Sequence, residues 1–317
     1  YHVHRDWVDR DEPPHAFVVS AEQRDPFATN ELLELLHTGE VEIHRSRRSF
    51  TAGGRRYPTG SWVIDLAQPA GAFAKTMLEK QVYPDLRYYT GGPPIPPYDV
   101  TAHTLGLLMG VEVAQIENPV NADLELLDTI SPVFKALPTR PNWAYVIKPS
   151  SNASFLAVSR LQAANIPIYR ASDWFEVNGQ EYAPGSWLVT PTEETESILE
   201  AVAAETGLVV QGIDSPVTVA GHRLQDSTRV GLWRAANNMP GGWMLWLFEQ
   251  YELNHTVISS TDFEGELSEK YDVIVLPSGT SRRSIVQCLK PERHDETWRW
   301  AYGVCREGWL NLRRFVE

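Results

Sequence analysis

The chain has 317 residues, 43% hydrophobic and including 11 tryptophans, enough to pack two or three domains. A formal net charge of −13 and a pI near 5.2 leave no basic stripe for nucleic acid or an anionic membrane surface, so neither is expected as a partner. No run of 18 or more apolar residues marks a membrane span, and no signal peptide is visible.

Residues 1–14, YHVHRDWVDRDEPP, read as a linker. Their first residue is Tyr and not Met, which reads as a processed or partial product. Phe17-Val18-Val19 is an apolar run of strand type. Asp25-Pro26 then supplies an N-cap and a first-turn proline. Phe27, Leu32, Leu33 and Leu36 follow at helical spacing, and Gly39 is expected to end the helix as a left-handed cap. Val41-Glu42-Ile43 is a second strand, so strand–helix–strand predicts a right-handed parallel crossover. Gly53-Gly54 closes a tight hairpin, because both central residues of its turn need positive φ. Tyr57 lies on the return strand, Thr59-Gly60 bends the chain, and Trp62-Val63-Ile64 resumes as a buried strand.

Gly-Gly-Pro-Pro-Ile-Pro-Pro (91–97) is extended and fits neither helix nor interior strand. Asp99 caps an expected helix through Thr101, His103, Leu105, Leu107 and Leu108. A loop at Pro138–Pro141 precedes a second copy of the opening pattern. Tyr145-Val146-Ile147 is its first strand. Phe155, Val158 and Leu161 form its helix stripe, with Asn165 as cap, and Ile166-Pro167-Ile168 is its second strand. Residues 41–62 match 166–187 without a gap: Phe50, Gly54, Tyr57, Gly60, Ser61 and Trp62 recur as Phe175, Gly179, Tyr182, Gly185, Ser186 and Trp187. The repeated phrases YPTGSW and YAPGSW read first as architecture, an aromatic capping a sheet end after a glycine bend. The sharper reading makes Trp62 and Trp187 stacking platforms for a sugar or peptide.

From Arg229 the pattern changes. RVGLW (229–233), HTVISS (255–260) and YDVIVLPSG (271–279) are strands, separated by the apolar helix GGWMLWLFEQY and the short helix ELSEK. That alternation opens a doubly wound α/β domain, whose ligands sit at the carboxyl ends of its strands. Those ends carry Arg234, Asn237 and Asn238, then Ser278, Gly279 and Thr280, as candidate ligand residues. The fold expected is therefore α/β: a module over 15–141 with a Pro-rich and helical extension, its repeat over 142–227, and the first half of a doubly wound domain over 228–317. The chain ends inside an amphipathic helix carrying Trp309, Leu312, Phe315 and Val316, which reads as a fold that continues.

No complete catalytic set emerges. His37 and Glu40 stand three apart like a zinc-ligand pair, but they straddle a helix end, and an imidazolium there complements the helix dipole. His2 and His4 lie in the terminal stretch, and His103 sits among leucines. His44, His222, His255 and His294 have no carboxylate at ligand spacing. Cys288 reads as mid-helix and Cys305 as following an aromatic run, so neither stands on a nucleophile elbow; whether they pair is open. Pro240-Gly241-Gly242 starts a helix and is not a phosphate loop.

The order of these features resembles a known family. AEQRDPFATNELLELL, followed by FTAGGRRYPTGSW through MGVEV at Val113, resembles the region after the catalytic domain in large bacterial zinc carboxypeptidases of the carboxypeptidase A-like family. GLWRAANNMPGGWMLWLFEQY with YDVIVLPSG resembles the class I glutamine amidotransferase-like domain that ends those proteins, a flavodoxin-like doubly wound fold. The resemblance implies a secreted or periplasmic parent that removes C-terminal residues from peptides with one zinc. Its metal and catalytic Glu belong to a domain preceding Tyr1, which would be this chain's partner, with peptide substrate as a possible second one. No zinc ligand, catalytic residue or cofactor is carried onto this chain. The first loop of the last domain, Asn-Asn-Met-Pro-Gly-Gly, has no acidic residue, which argues against glutamine hydrolysis. Two functions follow: a non-catalytic C-terminal region with a structural or recognition role, or an independent peptide- or glycan-binding module with a ligand-sensing last domain.

Overall fold

The computed structural model describes residues 2–96, 103–225, 228–234, 239–290, 295, 297 and 302–317. Asp99 and Thr101 of the expected helix, the candidates Asn237 and Asn238, and His294 lie outside them. The chain is mixed α/β, with nine α-helices and several antiparallel sheets among the described residues. None of these helices is long and apolar enough to cross a membrane. The chain divides into two compact units: Tyr1–Ala136 with Ser150–Asn152 and Ala203–Val209, and Leu137–Pro149 with Ala153–Val202 and Val210–Glu317.

The first unit runs α1 (His2–Val8), β1 (Ala16–Val19), α2 (Pro26–Thr38), β2 (His44–Ser46), β3 (Phe50–Ala52), β4 (Arg55–Tyr57), β5 (Trp62–Asp65), α3 (Gly71–Leu78), α4 (Leu105–Met109), β6 (Val113–Ile116) and β7 (Leu124–Leu126). Its sheet has the order β6-β1-β5-β2-β7, every neighbour antiparallel. Alternate residues of β1 serve two cores, as the period of a strand requires. Phe17 and Val19 meet Leu32, Leu33 and Leu36 of α2 together with Trp62 and Ile64. Ala16 and Val18 meet Val63 and the β3–β4 hairpin through Phe50 and Tyr57.

The second unit carries β8 (Ala144–Ile147), α5 (Ala153–Ala163), β9 (Ile168–Ala171), β10 (Phe175–Val177), β11 (Gln180–Tyr182), β12 (Trp187–Val189), most of α6 (Glu193–Thr206), β13 (Val210–Ile213) and β14 (Gly221–Arg223). Its five-stranded sheet has the order β13-β8-β12-β9-β14, again antiparallel throughout. Then follow β15 (Val230–Trp233), α7 (Met239–Gln250), β16 (Thr256–Ile258), β17 (Val273–Val275), α8 (Arg282–Val286) and α9 (Cys305–Val316). Here the sheet is parallel, in the order β16-β15-β17. Trp233 packs edge-on to Phe263 at 5.1 Å, in a core with Ile258, Ile285 and Leu312.

Several local expectations are corrected. The strand–helix–strand crossover skips a place: β1 and β2 run the same way, but β5 lies between them, antiparallel to both. Gly39 is not left-handed (φ −82°); Glu40 takes that conformation at φ 61°. Gly39 is demanded by space instead, since a Cβ there would meet the Phe73 ring at 2.2 Å. The second strand begins at His44 and not Val41, although Val41 and Ile43 are buried. On α5 the buried stripe uses Leu156, Val158 and Leu161, while Phe155 is half-exposed and meets the edge of Trp187. Leu107 and Leu108 of α4 are exposed. Cys288 lies beyond the end of α8 and is bonded as a disulfide to Cys305, the first residue of α9.

Candidate functional site

β15 and β17 are parallel neighbours, so their carboxyl ends open at one edge of the sheet. Arg234 follows the first of these ends and Ser278, Gly279 and Thr280 follow the second, so the topology brings these four candidates to a common edge. Arg234 N donates to Ile258 O at 2.9 Å, extending the β15–β16 ladder by one residue. Gly279, at φ 85°, turns the chain, and Thr280 N donates back to Pro277 O at 3.1 Å. Ser281 Oγ then accepts from Ser284 N and caps α8. Thr280 Oγ1 is buried without a hydrogen-bond partner. Asn237 and Asn238 lie outside the described residues.

At the opposite edge Arg229 grips Asp272 through Nε and Nη2, at 3.0 and 2.7 Å, and Arg229 N donates to the same carboxylate. These bonds hold the Asp272 carboxyl down, at about 2.

Trp62 and Trp187 sit in equivalent registers. Trp62 pairs with Val19 on one side and Arg45 on the other; Trp187 pairs with Ile147 and Arg170. The indoles are 8% and 4% exposed. That leaves no open ring face for a ligand, so packing accounts for both, and the stacking role expected of them is not available. The hairpin aromatics match as well: Phe50 stacks on Tyr57 at 5.3 Å and Phe175 on Tyr182 at 4.8 Å. Burial pushes the Tyr57 and Tyr182 hydroxyls above the ordinary tyrosine range. Gly60 and Gly185 both hold positive φ, at 87° and 91°, with the guanidinium of Arg45 or Arg170 against them.

His37 lies in the last turn of α2, where the dipole argument placed it. His103 Nδ1 lies 3.4 Å from Thr76 O. Among the described residues no three His, Cys, Asp or Glu side chains gather in a group able to hold a metal ion.

One concavity escaped the sequence reading. A cavity of about 500 Å3 opens on the β8–β12–β9–β14 sheet. Its floor is one cross-strand row, Leu188 opposite Tyr169 opposite Arg223. Residues directly opposite on antiparallel strands present their side chains to the same face. Trp143, Val217, Thr218 and Val219 are among the other residues that line it. Tyr169 OH donates to Val219 O at 3.1 Å, linking two of the lining residues. No local motif announces this row, because it exists only once three strands are in register.

Set against models of protein families, against curated proteins and against solved structures, the chain finds no match in any of the three comparisons.

Proposed function

We propose that the chain is the non-catalytic accessory region of a zinc carboxypeptidase-like protein: one module used twice, then an amidotransferase-like domain, with a structural or substrate-presenting role beside a zinc-bearing catalytic partner. The reading rests on the family resemblance of residues 16–317. The observation that carries it is the matched register of the two five-stranded sheets. Order β6-β1-β5-β2-β7 repeats as β13-β8-β12-β9-β14, with Trp62 and Trp187, and the Phe–Tyr hairpin pairs, at corresponding places. The aromatics and glycines of the repeated phrase are consumed in shaping backbone and filling core. The parallel order β16-β15-β17 supports the last part, since a flavodoxin-like sheet begins with its first strand between the second and third.

The test is an assay of the purified chain, loaded with zinc, for release of the C-terminal residue from a blocked dipeptide. The expected rate is that of a chelator-treated control; zinc-dependent turnover in proportion to protein overturns the proposal.

A further inference from the structure

The two copies of the module end their first helix in the same way and differ there in chemistry. α2 closes through Glu40 at φ 61°, with Glu40 N donating to His37 O and Val41 N to Leu36 O. α5 closes through Asn165 at φ 57°, with Asn165 N donating to Gln162 O and Ile166 N to Leu161 O. Position for position, Glu34, His37 and Glu40 of the first copy become Ser159, Gln162 and Asn165 in the second. Two carboxylates and an imidazole give way to a hydroxyl and two amides. Packing alone would favour apolar residues, since a polar group taken from water costs energy unless it is paired. The three replacements line one cavity of about 560 Å3 within the second unit. Thr228 lines it as well, and so do Phe248, Glu252 and Asn254, at and beyond the end of α7.

We propose that this cavity is a binding site for a neutral sugar ring. Its volume lies within the range of small-molecule sites. Among the described residues that line it, Glu252 alone is charged. Its carboxylate accepts from Arg160 Nε at 3.0 Å and from Nη2 at 2.8 Å, and these bonds hold the carboxyl below its ordinary range. A charged ligand therefore finds its one potential counter-charge taken. The side chains of Asn165, Thr228 and Asn254 make no hydrogen bond among the described residues, and Gln162 spends one donor on Gln225 O at 3.0 Å. Amides and hydroxyls both donate and accept, which is what neighbouring sugar hydroxyls require. The Phe248 ring, set edge-on to His255 at 5.4 Å, supplies an apolar surface for the C–H face of the sugar. The assignment does not rest on the accessory role argued above.

The experiment is calorimetric titration of the whole chain with the methyl glycosides of glucose, galactose and mannose, with cyclohexanol, and with acetyl-Gly-Gly-amide. Saturable binding of at least one glycoside is expected in the millimolar range. Cyclohexanol, a ring of similar size with a single hydroxyl, should bind about tenfold weaker or more, because a site built to hydrogen-bond hydroxyls rejects a ligand lacking them. Thr228→Val removes a hydroxyl at nearly constant shape, and Asn254→Ala removes an exposed amide. Each should weaken the glycoside about fivefold, the usual worth of one hydrogen bond, with the denaturant midpoint unchanged. Should Thr228→Val fail to fold, Asn254→Ala carries the test. No saturation by any glycoside, cyclohexanol binding as tightly as the glycosides, or glycoside affinity indifferent to the substitutions would each overturn the site. Tighter binding of acetyl-Gly-Gly-amide than of every glycoside would overturn its assignment to sugars.

Discussion

At the scale of single residues, Asp25 carries the most. Its carboxylate is 5% exposed and accepts from Phe27 N and Ala28 N at the start of α2. It also accepts from Ser151 Oγ at 2.6 Å and Asn152 N at 2.9 Å. One charge thus satisfies donors of a helix N-terminus and a segment more than a hundred positions away. Losing an N-cap alone costs about 1 kcal/mol, and hydrogen bonds to a charged group are worth about 1.5–3 kcal/mol each. Asp25→Ala should therefore lower stability by about 3 kcal/mol in chemical denaturation; a loss near zero would show that the bonds are incidental. Asp25-Pro26 was legible as a helix start, but its second set of partners was not, because nothing local links residue 25 to residue 151. Asp272 makes a pH-dependent contribution. Its carboxyl is held at about 2, below the unfolded value near 4. The Arg229 contact therefore stabilises above the unfolded pKa and fades as pH falls from about 4 toward about 2. Asp272→Asn should melt earlier than wild type at neutral pH, and the gap should close across that acid window. A gap independent of pH would remove the ion pair as its cause.

At the scale of elements, composition announced most strands and both hairpins, and packing decided how helices end and which faces they bury. Gly53-Gly54 and Asn178-Gly179 all take positive φ, as the hairpin turns require. Gly39 looked like the same kind of device and is not. Its φ is open to any residue, so substitution is paid for only in space against Phe73. Gly39→Ala should destabilise by about 1–3 kcal/mol through overpacking. Trimming the ring with Phe73→Leu should recover part of that loss in a double-mutant cycle. Additive costs would contradict the steric account. Strands β6, β7, β13 and β14 were not read from the sequence at all. Each is short and completes an edge of a sheet whose other members lie far away in the chain, so periodicity alone was silent. The helix α7 shows the converse. Its apolar composition marked it as a helix, yet none of its residues is buried, and Trp243 and Trp246 are 65% and 51% exposed. Apolarity reports the helix but not what covers it.

At the scale of the whole molecule, a repeated phrase was the most informative signal, because matching backbone needs preserve glycine and aromatic positions together. The strand order behind the phrase was illegible, since antiparallel insertion of β5 between β1 and β2 depends on long-range pairing. The strand–helix alternation pointed to the carboxyl ends of β15 and β17 as a candidate edge, whereas the cavity over Tyr169 and Arg223 required three strands in register. The account makes the repeated Tyr-Gly-Trp elements architectural, and the most direct measurement is the denaturant midpoint of Trp62→Ala and Trp187→Ala. Each is expected to lose about 3–5 kcal/mol, the usual cost of emptying a buried tryptophan site. Variants that keep the wild-type midpoint while losing a bound sugar or peptide would contradict it.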